Sequence, residues 1–316
     1  MSGRRAVVAG ASVAGLLAAR ALREHVGEVL VLDRDVLPSG VRPRRGVPQG
    51  RHPHVVPAGG YEAIERLLPG FHGELAAAGA VKAGAATLLS SRPLFERTLR
   101  RRIERLDGVR IAGSSEVTGV LTDAGRSRVT GVTVASGGRL GAIEDIDLLV
   151  DATGRASRTP AWLAALGLDP VPEESVELGL TYVSQRFRAS GAPSEILADG
   201  RCVLAQEGNT VLVSGNVTPP GEPIGAPATL RFPRAFRRYY ERIDVPGNLV
   251  VLGDAMCTLD PRLRQGVTVA ARQAELLTDP VRDNARPQCE AAALLETPWR
   301  ATAAPKSSAS PESPAA

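Results

Sequence analysis

A short glycine-containing segment near the start of the chain has the composition of a phosphate-binding turn. Residues 10–15 read GASVAG, which matches the pattern G-x-G-x-x-G except that Ser12 takes the place of the middle glycine. Gly10 permits a tight turn, and Gly15 lets a helix approach a strand closely. The small Ser12 leaves backbone N–H groups able to face a pyrophosphate at the positive end of a helix.

An acidic residue follows this turn at the spacing that dinucleotide-binding folds use. Asp33 closes the apolar run 28–33, and a carboxylate there accepts hydrogen bonds from ribose hydroxyls. An ordinary strand–turn–helix unit is the alternative, and the glycine turn alone does not exclude it. The turn and the acid together favour dinucleotide binding.

Two later segments also place polar groups at the ends of apolar runs. Asp151 to Arg155 read DATGR, and Gly253 to Ala255 read GDA. In α/β folds, ligands contact the carboxyl ends of parallel strands. Asp254 can therefore bond a ribityl hydroxyl. Backbone groups near Gln265 and Gly266 can meet a flavin at the start of a helix, where the partial positive charge favours an electron-rich ring.

The apolar periodicity predicts the elements that position these groups. Buried strands are predicted at 5–9, 28–33, 146–151 and 248–253, and the first two enclose a helix at 13–25. Further helices are predicted at 60–68, 71–79, 92–106 and 266–277. Further strands are predicted at 109–122, 128–136, 175–188 and 201–217, with a hairpin turn at Gly137 and Gly138. This order predicts an α/β fold, a parallel sheet interrupted by a β-rich region.

Composition narrows the function classes. Of 316 residues, 43% are hydrophobic, only 3% are aromatic, and the net charge is +4, which does not favour a nucleic-acid partner. No apolar run is long enough to span a membrane. The three cysteines form no C-x-x-C pair, which predicts a reducing, cytoplasmic location. His52 and His54 lack a third ligand, so no metal is predicted.

The order GASVAG, SRPLFERTLR, DATGR and GDA…P…QG resembles the FAD-dependent monooxygenases related to p-hydroxybenzoate hydroxylase. The stretches 46–54, 151–167 and 230–244 are similar to the bacterial polyketide and polyether epoxidase-type tailoring oxygenases. The resemblance covers most of residues 5–278. It implies a Rossmann-like, GR2-type FAD-binding domain made of residues 1–167 and 247–280. A reduced substrate region at 168–246 is inserted in it, and a disordered tail is predicted at 281–316.

The resemblance also implies a set of cofactor contacts. The ADP half of FAD would lie against Gly10, Ser12, Ala14, Gly15, Asp33 and Arg34, with the adenine on the backbone of Val117. The pyrophosphate or ribityl region would contact Arg92. The ribityl chain would lie at Gly253 and Asp254, and the isoalloxazine ring at Pro261, Gln265 and Gly266. FAD and the passing NAD(P)H would be supported by Asp151 and Gly154. On the substrate side the candidates are Gln49 and His52.

The implied activity is insertion of one oxygen atom from O2 into an aromatic or alkene small molecule, such as a polyene or polyketide, in secondary metabolism. NAD(P)H would be the reductant, bound transiently because the chain has no second G-x-G-x-x-G motif. No obligatory side-chain acid or base is predicted, so the catalytic residues stay open. The alternatives are a degenerate FAD-fold accessory protein without turnover and a flavin-dependent alkene reductase.

Three departures from the family pattern favour the accessory alternative. Arg264 stands where the family has a glycine, immediately before the Gln-Gly pair. The middle region between Arg188 and Leu230 is shortened. A tail rich in proline and serine replaces the C-terminal helical part.

Overall fold

A computed structural model describes residues 3–83, 87–189, 191, 194–197, 200–218, 221–278 and 287–304. In these ranges the α-helices are α1 Val13–Leu22, α2 Ala58–Leu67, α3 Phe71–Ala77, α4 Arg92–Glu104, α5 Thr159–Ala165, α6 Gly266–Glu275, α7 Pro287–Ala293 and α8 Glu296–Ala303. The strands are β1 Arg5–Ala9, β2 Glu28–Leu32, β3 Val81–Lys82, β4 Leu88–Leu89, β5 Val109–Ala112, β6 Ser115–Thr122, β7 Val129–Ser136, β8 Arg139–Glu144, β9 Leu148–Asp151, β10 Glu173–Arg188, β11 Glu195–Ile196, β12 Cys202–Gln206, β13 Thr210–Ser214, β14 Glu222–Arg238, β15 Leu249–Val251 and β16 Cys257–Thr258.

A five-stranded parallel sheet in the order β15-β9-β1-β2-β5 forms the centre of the fold. Its strands are short, apolar and largely buried, as expected when helices or other layers cover both faces of a sheet. Ala9 lies in register between Leu32 and Asp151. The segments that follow β1, β2, β9 and β15 therefore leave the sheet at one edge, which confirms the four predicted buried strands.

Helix α1 packs tightly on this sheet because glycine occupies the two closest approaches. A Cβ atom on Gly15 would lie 1.8 Å from the carbonyl oxygen of Gly10. Gly10 has a φ of +105°, and its Cβ would lie 2.4 Å from the carbonyl oxygen of Ala152. Any larger residue at either position would force the turn away from the sheet, because these neighbours are backbone atoms.

A second, antiparallel sheet has the order β11-β12-β13-β10-β14-β16. The sequence predicts β10 and the β12–β13 region. It does not predict the start of the 17-residue strand β14, because the stretch 219–228 is rich in proline and glycine. Among the described residues, this first half of β14 pairs with β10 alone. Prolines such as Pro223 are tolerated there because an edge strand has N–H groups that need no partner strand.

The predicted hairpin at Gly137 and Gly138 is confirmed and joins β7 to β8. Both glycines have a positive φ, as two-residue hairpin turns require. Strands β6, β7 and β8 form a three-stranded antiparallel sheet. The indole of Trp162 on α5 donates a hydrogen bond to the carbonyl oxygen of Thr118 on β6. This bond ties the small sheet to the segment that follows β9.

The prediction of a disordered tail over 281–316 is wrong for residues 287–304, which form α7 and α8. Leu295 and Trp299 are buried in the main hydrophobic core, although their neighbours in sequence are mostly small residues without a clear helical period. Residues 279–286 and 305–316 lie outside the described residues. No helix in the described part of the chain is long and apolar enough to cross a membrane.

Helix α7 closes the edge of the parallel sheet at β15. The buried Gln288 side chain accepts a hydrogen bond from the N–H of Val251 at 2.8 Å and donates one to the carbonyl oxygen of the same residue at 3.4 Å. Two residues further, the Oε1 atom of Gln273 accepts the N–H of Gly253 at 2.8 Å. Side-chain amides thus satisfy backbone groups that a further strand would otherwise pair.

We expect the substitution Gln288→Ala to lower the free energy of unfolding by about 1–3 kcal/mol, because it leaves buried backbone groups of Val251 without a partner. Urea denaturation monitored by circular dichroism measures the change in the free energy of unfolding. The matched control is Glu290→Ala on the exposed side of the same helix, which we expect to leave the stability nearly unchanged. Equal losses in the two variants would contradict the role of Gln288 at the sheet edge.

Candidate functional site

An elongated cavity of about 470 Å³ lies at the carboxyl edge of the parallel sheet and extends to strand β14. Most of the residues that the sequence predicts for cofactor binding meet there. Those that line the cavity are Gly10, Ser12, Ala14, Asp33, Arg34, Arg92, Val117, Gly154, Gly253, Asp254, Pro261, Gln265 and Gly266, and the substrate-side candidate Gln49 lines it too. Segments that are far apart in the sequence therefore share one space, as expected where parallel strands end.

Three predicted residues do not line the cavity. Gly15 lies beneath the turn, against the backbone of Gly10. Asp151 is fully buried and shapes the loop after β9 by accepting hydrogen bonds from Thr153, Ser157 and Thr159. His52 is also buried, and its Nδ1 atom lies 3.0 Å from the hydroxyl of Ser184 on β10.

At the end of the cavity formed by α1 and β2, Asp33 already has a full set of partners. Its two carboxylate oxygens accept hydrogen bonds from the N–H groups of Ala11 at 2.7 Å and Asp35 at 2.9 Å. They also accept two from Nη1 of Arg44, at 3.0 and 3.1 Å. A carboxylate has about four acceptor positions, so Asp33 holds the turn and the following loop together.

Arg44 is the centre of a buried ionic network that sequence reasoning missed. Its side chain is only 6% exposed and forms ion pairs with Asp33, Asp35 and Glu96. Burial alone would lower the pKa of Arg44, but the three carboxylates outweigh burial and raise it. Within this network the sequence indicates only the Arg92–Glu96 pair, through its i,i+4 spacing on α4. It gives no signal for Arg44, because Arg44 lies in a loop far from α4 in the sequence.

The same network fixes the orientation of the Ser12 hydroxyl. Its hydroxyl donates to Glu96 and accepts a hydrogen bond from Nη2 of Arg92 at 2.9 Å, while Nε of Arg92 bonds Glu96 at 2.9 Å. Burial works to raise the pKa of Glu96, yet Arg92 and Arg44 lower it. With its hydroxyl engaged, Ser12 presents the start of α1 to the cavity, where the first N–H groups of a helix lack intrahelical acceptors.

His54, rather than the predicted His52, is the histidine that lines the cavity. Its Nε2 atom lies 3.3 Å from Nη1 of Arg92, and its ring packs edge-on against Phe95 at 5.1 Å. Burial and the positive charge of Arg92 hold the pKa of His54 well below its usual range. Because a guanidinium only donates, the neutral imidazole accepts at Nε2 and keeps its proton on Nδ1.

At the other end of the cavity, Asp254 is a carboxylate that lacks a hydrogen-bond partner among the described residues. Burial raises its pKa, and the charges of Arg92 and Arg155 oppose that rise. Its backbone is fixed by the Gln273 bond to Gly253, and Gly266 at the start of α6 lies beside it. The carboxylate is therefore poised to accept hydrogen bonds from a ligand's hydroxyl groups.

The cavity lining is positively charged as a whole. Its acidic residues are Asp33, Glu116, Asp254 and Asp260, whereas its arginines are Arg34, Arg44, Arg45, Arg92, Arg155, Arg158 and Arg264. Together with two helix starts, this excess suits a ligand with negative charge, such as a pyrophosphate. Within the described ranges, no three His, Cys, Asp or Glu residues are grouped so that they could hold a metal ion.

Solved structures with the same fold include a flavin-dependent halogenase and an oxygenase. The flavin-dependent halogenase CmlS superposes with a TM-score of 0.68 at 16% identity, covering 96% of this chain and 63% of CmlS. The tetrameric form of 2-methyl-3-hydroxypyridine-5-carboxylic acid oxygenase superposes with a TM-score of 0.66 at 16% identity, covering 96% and 88%. These similarities confirm the predicted α/β fold with its parallel sheet and additional antiparallel β region.

No protein-family model matches the sequence. The protein Rv3254 of Mycobacterium tuberculosis is 31% identical over 337 residues, an alignment that covers 85% of this chain and 71% of Rv3254. Because that alignment is longer than the chain itself, Rv3254 carries segments that this chain lacks. Identity at this level over most of both proteins shows common descent, and the chain therefore belongs to the same protein family as Rv3254.

Proposed function

We propose that this protein is an FAD-dependent monooxygenase, a hydroxylase or epoxidase, that inserts one oxygen atom from O2 into an aromatic or alkene small molecule. The observation that carries the proposal is the single cavity that joins the start of α1 to Asp254 and the start of α6. A dinucleotide with a flavin at one end needs phosphate, ribityl and ring contacts in that order. The flavin-dependent halogenase and the oxygenase that share the fold support this proposal.

The residues present fit FAD on two independent grounds. The start of α1, Arg92 and Arg34 supply N–H donors and positive charge for the two phosphates. At the other end, the half-buried carboxylate of Asp254 forms no hydrogen bond with a described residue, which suits the donor hydroxyls of a ribityl chain. We propose Gly10, Ser12, Ala14, Asp33, Arg34 and Val117 for the ADP half.

The fully bonded Asp33 changes how the ribose would be held. A ribose hydroxyl that bonds Asp33 must share the carboxylate with Arg44, whose Nη1 atom contacts both oxygens. We therefore propose that Asp33 acts first as a support for the turn and the loop. Gly15 and Asp151 have supporting positions too, because neither lines the cavity and both set the backbone next to it.

FAD, when bound, would supply the electron transfer that lets O2 react. The chain would bind and orient the ring with Pro261, Gln265 and Gly266, and the start of α6 would stabilise negative charge on it. Strand β14 contributes Leu230 and Phe232 to the same end of the cavity, where they would exclude water from the substrate. NAD(P)H would reach this end transiently, near Gly154.

A degenerate accessory protein is the second candidate function, and the shortened middle region and Arg264 favour it. It predicts weak or no flavin binding and no NAD(P)H oxidation. A flavin-dependent alkene reductase differs again, because it would oxidise NAD(P)H without placing oxygen in its product. Flavin content, anaerobic bleaching by NAD(P)H and oxygen incorporation therefore separate the three.

We expect the freshly purified protein to be yellow, with FAD released at a near-equimolar amount. The visible absorption spectrum and liquid chromatography of the released chromophore measure this. Addition of NADH or NADPH without oxygen should then bleach the flavin bands. A colourless protein that also fails to take up added FAD would overturn the proposal and make the accessory function the leading one.

We expect the substitution Asp254→Asn to weaken FAD binding by roughly tenfold or more, because a charged acceptor is replaced by a neutral amide, whose oxygen accepts more weakly and whose NH2 group only donates. Isothermal titration of the flavin-free protein with FAD measures this loss.

The same substitution should raise the stability of the flavin-free protein at neutral pH. A carboxyl whose folded pKa is raised binds more protons folded than unfolded, so its charge costs stability as pH rises above the unfolded pKa. Thermal unfolding at pH 7 checks this, with the exposed Asp244→Asn as the control. Unchanged FAD affinity in Asp254→Asn would contradict the assignment of Asp254 to the cofactor.

A further inference from the structure

The half-buried ring of His54 is fixed in the wall of the cavity by two contacts. Its Nε2 atom accepts a hydrogen bond from Nη1 of Arg92 at 3.3 Å, and its ring packs edge-on against Phe95 at 5.1 Å. Phe95 is fully buried and packs edge-on against Phe71 and Tyr61 in turn. The imidazole is therefore supported by a packed aromatic cluster, and its orientation is set before a ligand binds.

The second ring nitrogen of His54 is a donor that the protein does not use. Nδ1 forms no hydrogen bond with a described residue, and it is not sealed inside the core. A neutral imidazole that accepts at Nε2 carries its proton on Nδ1. Burial and the positive charge of Arg92 lower the pKa of His54, which favours this neutral form. His54 therefore offers one N–H group to the cavity that it lines.

The neighbours of His54 define where this donor lies along the cavity. Nη2 of Arg92 donates to the Ser12 hydroxyl at the start of α1, while Nη1 of the same guanidinium donates to His54. On the other side, Val55 pairs with Leu89, which packs against strand β12 of the antiparallel sheet. His54 thus lies one guanidinium away from the start of α1, towards the antiparallel sheet.

This position corresponds to one half of the proposed cofactor. The start of α1 is the proposed phosphate site, and the antiparallel sheet contributes strand β14 to the far end of the cavity. A group that lies beyond the phosphate site in that direction faces the part of FAD that follows the pyrophosphate. That part is the riboflavin half, whose ribityl hydroxyls, ring carbonyls and ring nitrogens can all accept a hydrogen bond.

The contact with Arg92 does not by itself account for this histidine. Arg92 is already held by an ion pair with Glu96 at 2.9 Å, so its guanidinium does not depend on His54 for compensation. The other histidine of the loop, His52, has its Nδ1 atom 3.0 Å from the hydroxyl of Ser184, inside the protein. Of these two histidines, His54 is the one whose Nδ1 is left for a ligand.

We propose that His54 binds the riboflavin half of FAD through a hydrogen bond donated by Nδ1. The inference rests on the proposed function, because it takes FAD as the ligand of the cavity. A neutral donor suits this half, since the ribityl hydroxyls and ring carbonyls of the oxidised cofactor carry no charge. Arg92 then serves the phosphates and His54 serves the riboflavin half, so that one hydrogen-bonded pair holds the junction between the two halves of the cofactor.

Two substitutions separate the roles of the two ring nitrogens. The side-chain amide of His54→Asn lies near the position of Nδ1 and keeps a donor there, whereas the amide of His54→Gln lies near Nε2 and keeps an acceptor for Arg92. FAD and ADP-ribose are each titrated into the flavin-free protein by isothermal calorimetry. ADP-ribose contains the adenosine and the pyrophosphate but no flavin. The matched control is His25→Gln, which changes a half-buried histidine outside the cavity.

We expect His54→Gln to weaken FAD binding by about tenfold and ADP-ribose binding by less than about twofold, because the phosphate contacts remain. His54→Asn should bind FAD within about threefold of wild type, because it keeps the donor. His25→Gln should bind both ligands as the wild type does. Retained binding of ADP-ribose also shows that each variant is folded.

Three results would overturn the inference. Equal losses of FAD affinity in His54→Asn and His54→Gln would assign the effect to packing or to Arg92 rather than to Nδ1. Equal losses for FAD and ADP-ribose in His54→Gln would place the contact at the phosphates. Unchanged FAD affinity in His54→Gln would show that there is no contact. A wild-type protein that takes up no FAD in these titrations contradicts the proposed function itself, and the inference with it.

Discussion

The buried guanidinium of Arg44 is the interaction on which the geometry of the site depends. It joins three carboxylates, two from the loop that follows β2 and one from α4, and through Glu96 it also fixes the side chains of Ser12 and Arg92. Buried ions are tolerated only when they are paired and hydrogen-bonded, so removal of Arg44 would leave the carboxylates without compensation. The network therefore holds α1, β2 and α4 in one arrangement around the start of the cavity.

The two ends of the cavity differ in whether their polar side chains find partners within the protein. Around Asp33 and Arg44, hydrogen-bonding groups are satisfied within the protein, which makes that end rigid before any ligand binds. At the far end, the side chains of Asp254, Arg155 and Arg264 form no hydrogen bond with another described residue, and Arg264 has a disfavoured backbone conformation. Unsatisfied and strained groups lower stability, and they concentrate where a ligand supplies the missing contacts. The contrast separates the scaffold from the recognition surface.

Much of the fold follows from local patterns. The buried strands, the turn at Gly10 and the hairpin at Gly137 were predictable because apolar runs and glycine positions act over a few residues. Strand β14 and helices α7 and α8 were not, because their stability comes from distant partners. Pro223 is tolerated because its half of β14 pairs with β10 alone, which only the strand pairing reveals. Trp299 is buried by a core assembled from segments that are distant in the sequence.

For the candidate site too, local patterns predicted one part and contacts between distant segments decided the rest. The sequence by itself determined which segments meet, because GASVAG, DATGR and GDA each lie at or just after the end of a parallel strand, and such ends share one edge. Only the tertiary structure decided which side chains line the cavity, with His54 there and His52 turned to Ser184. It also decided that Arg44 holds Asp33, whereas the Arg264 side chain forms no hydrogen bond or ion pair in the part of the chain that the structure describes. Ionic partners depend on distances between remote segments, and sequence spacing carries no information about those distances.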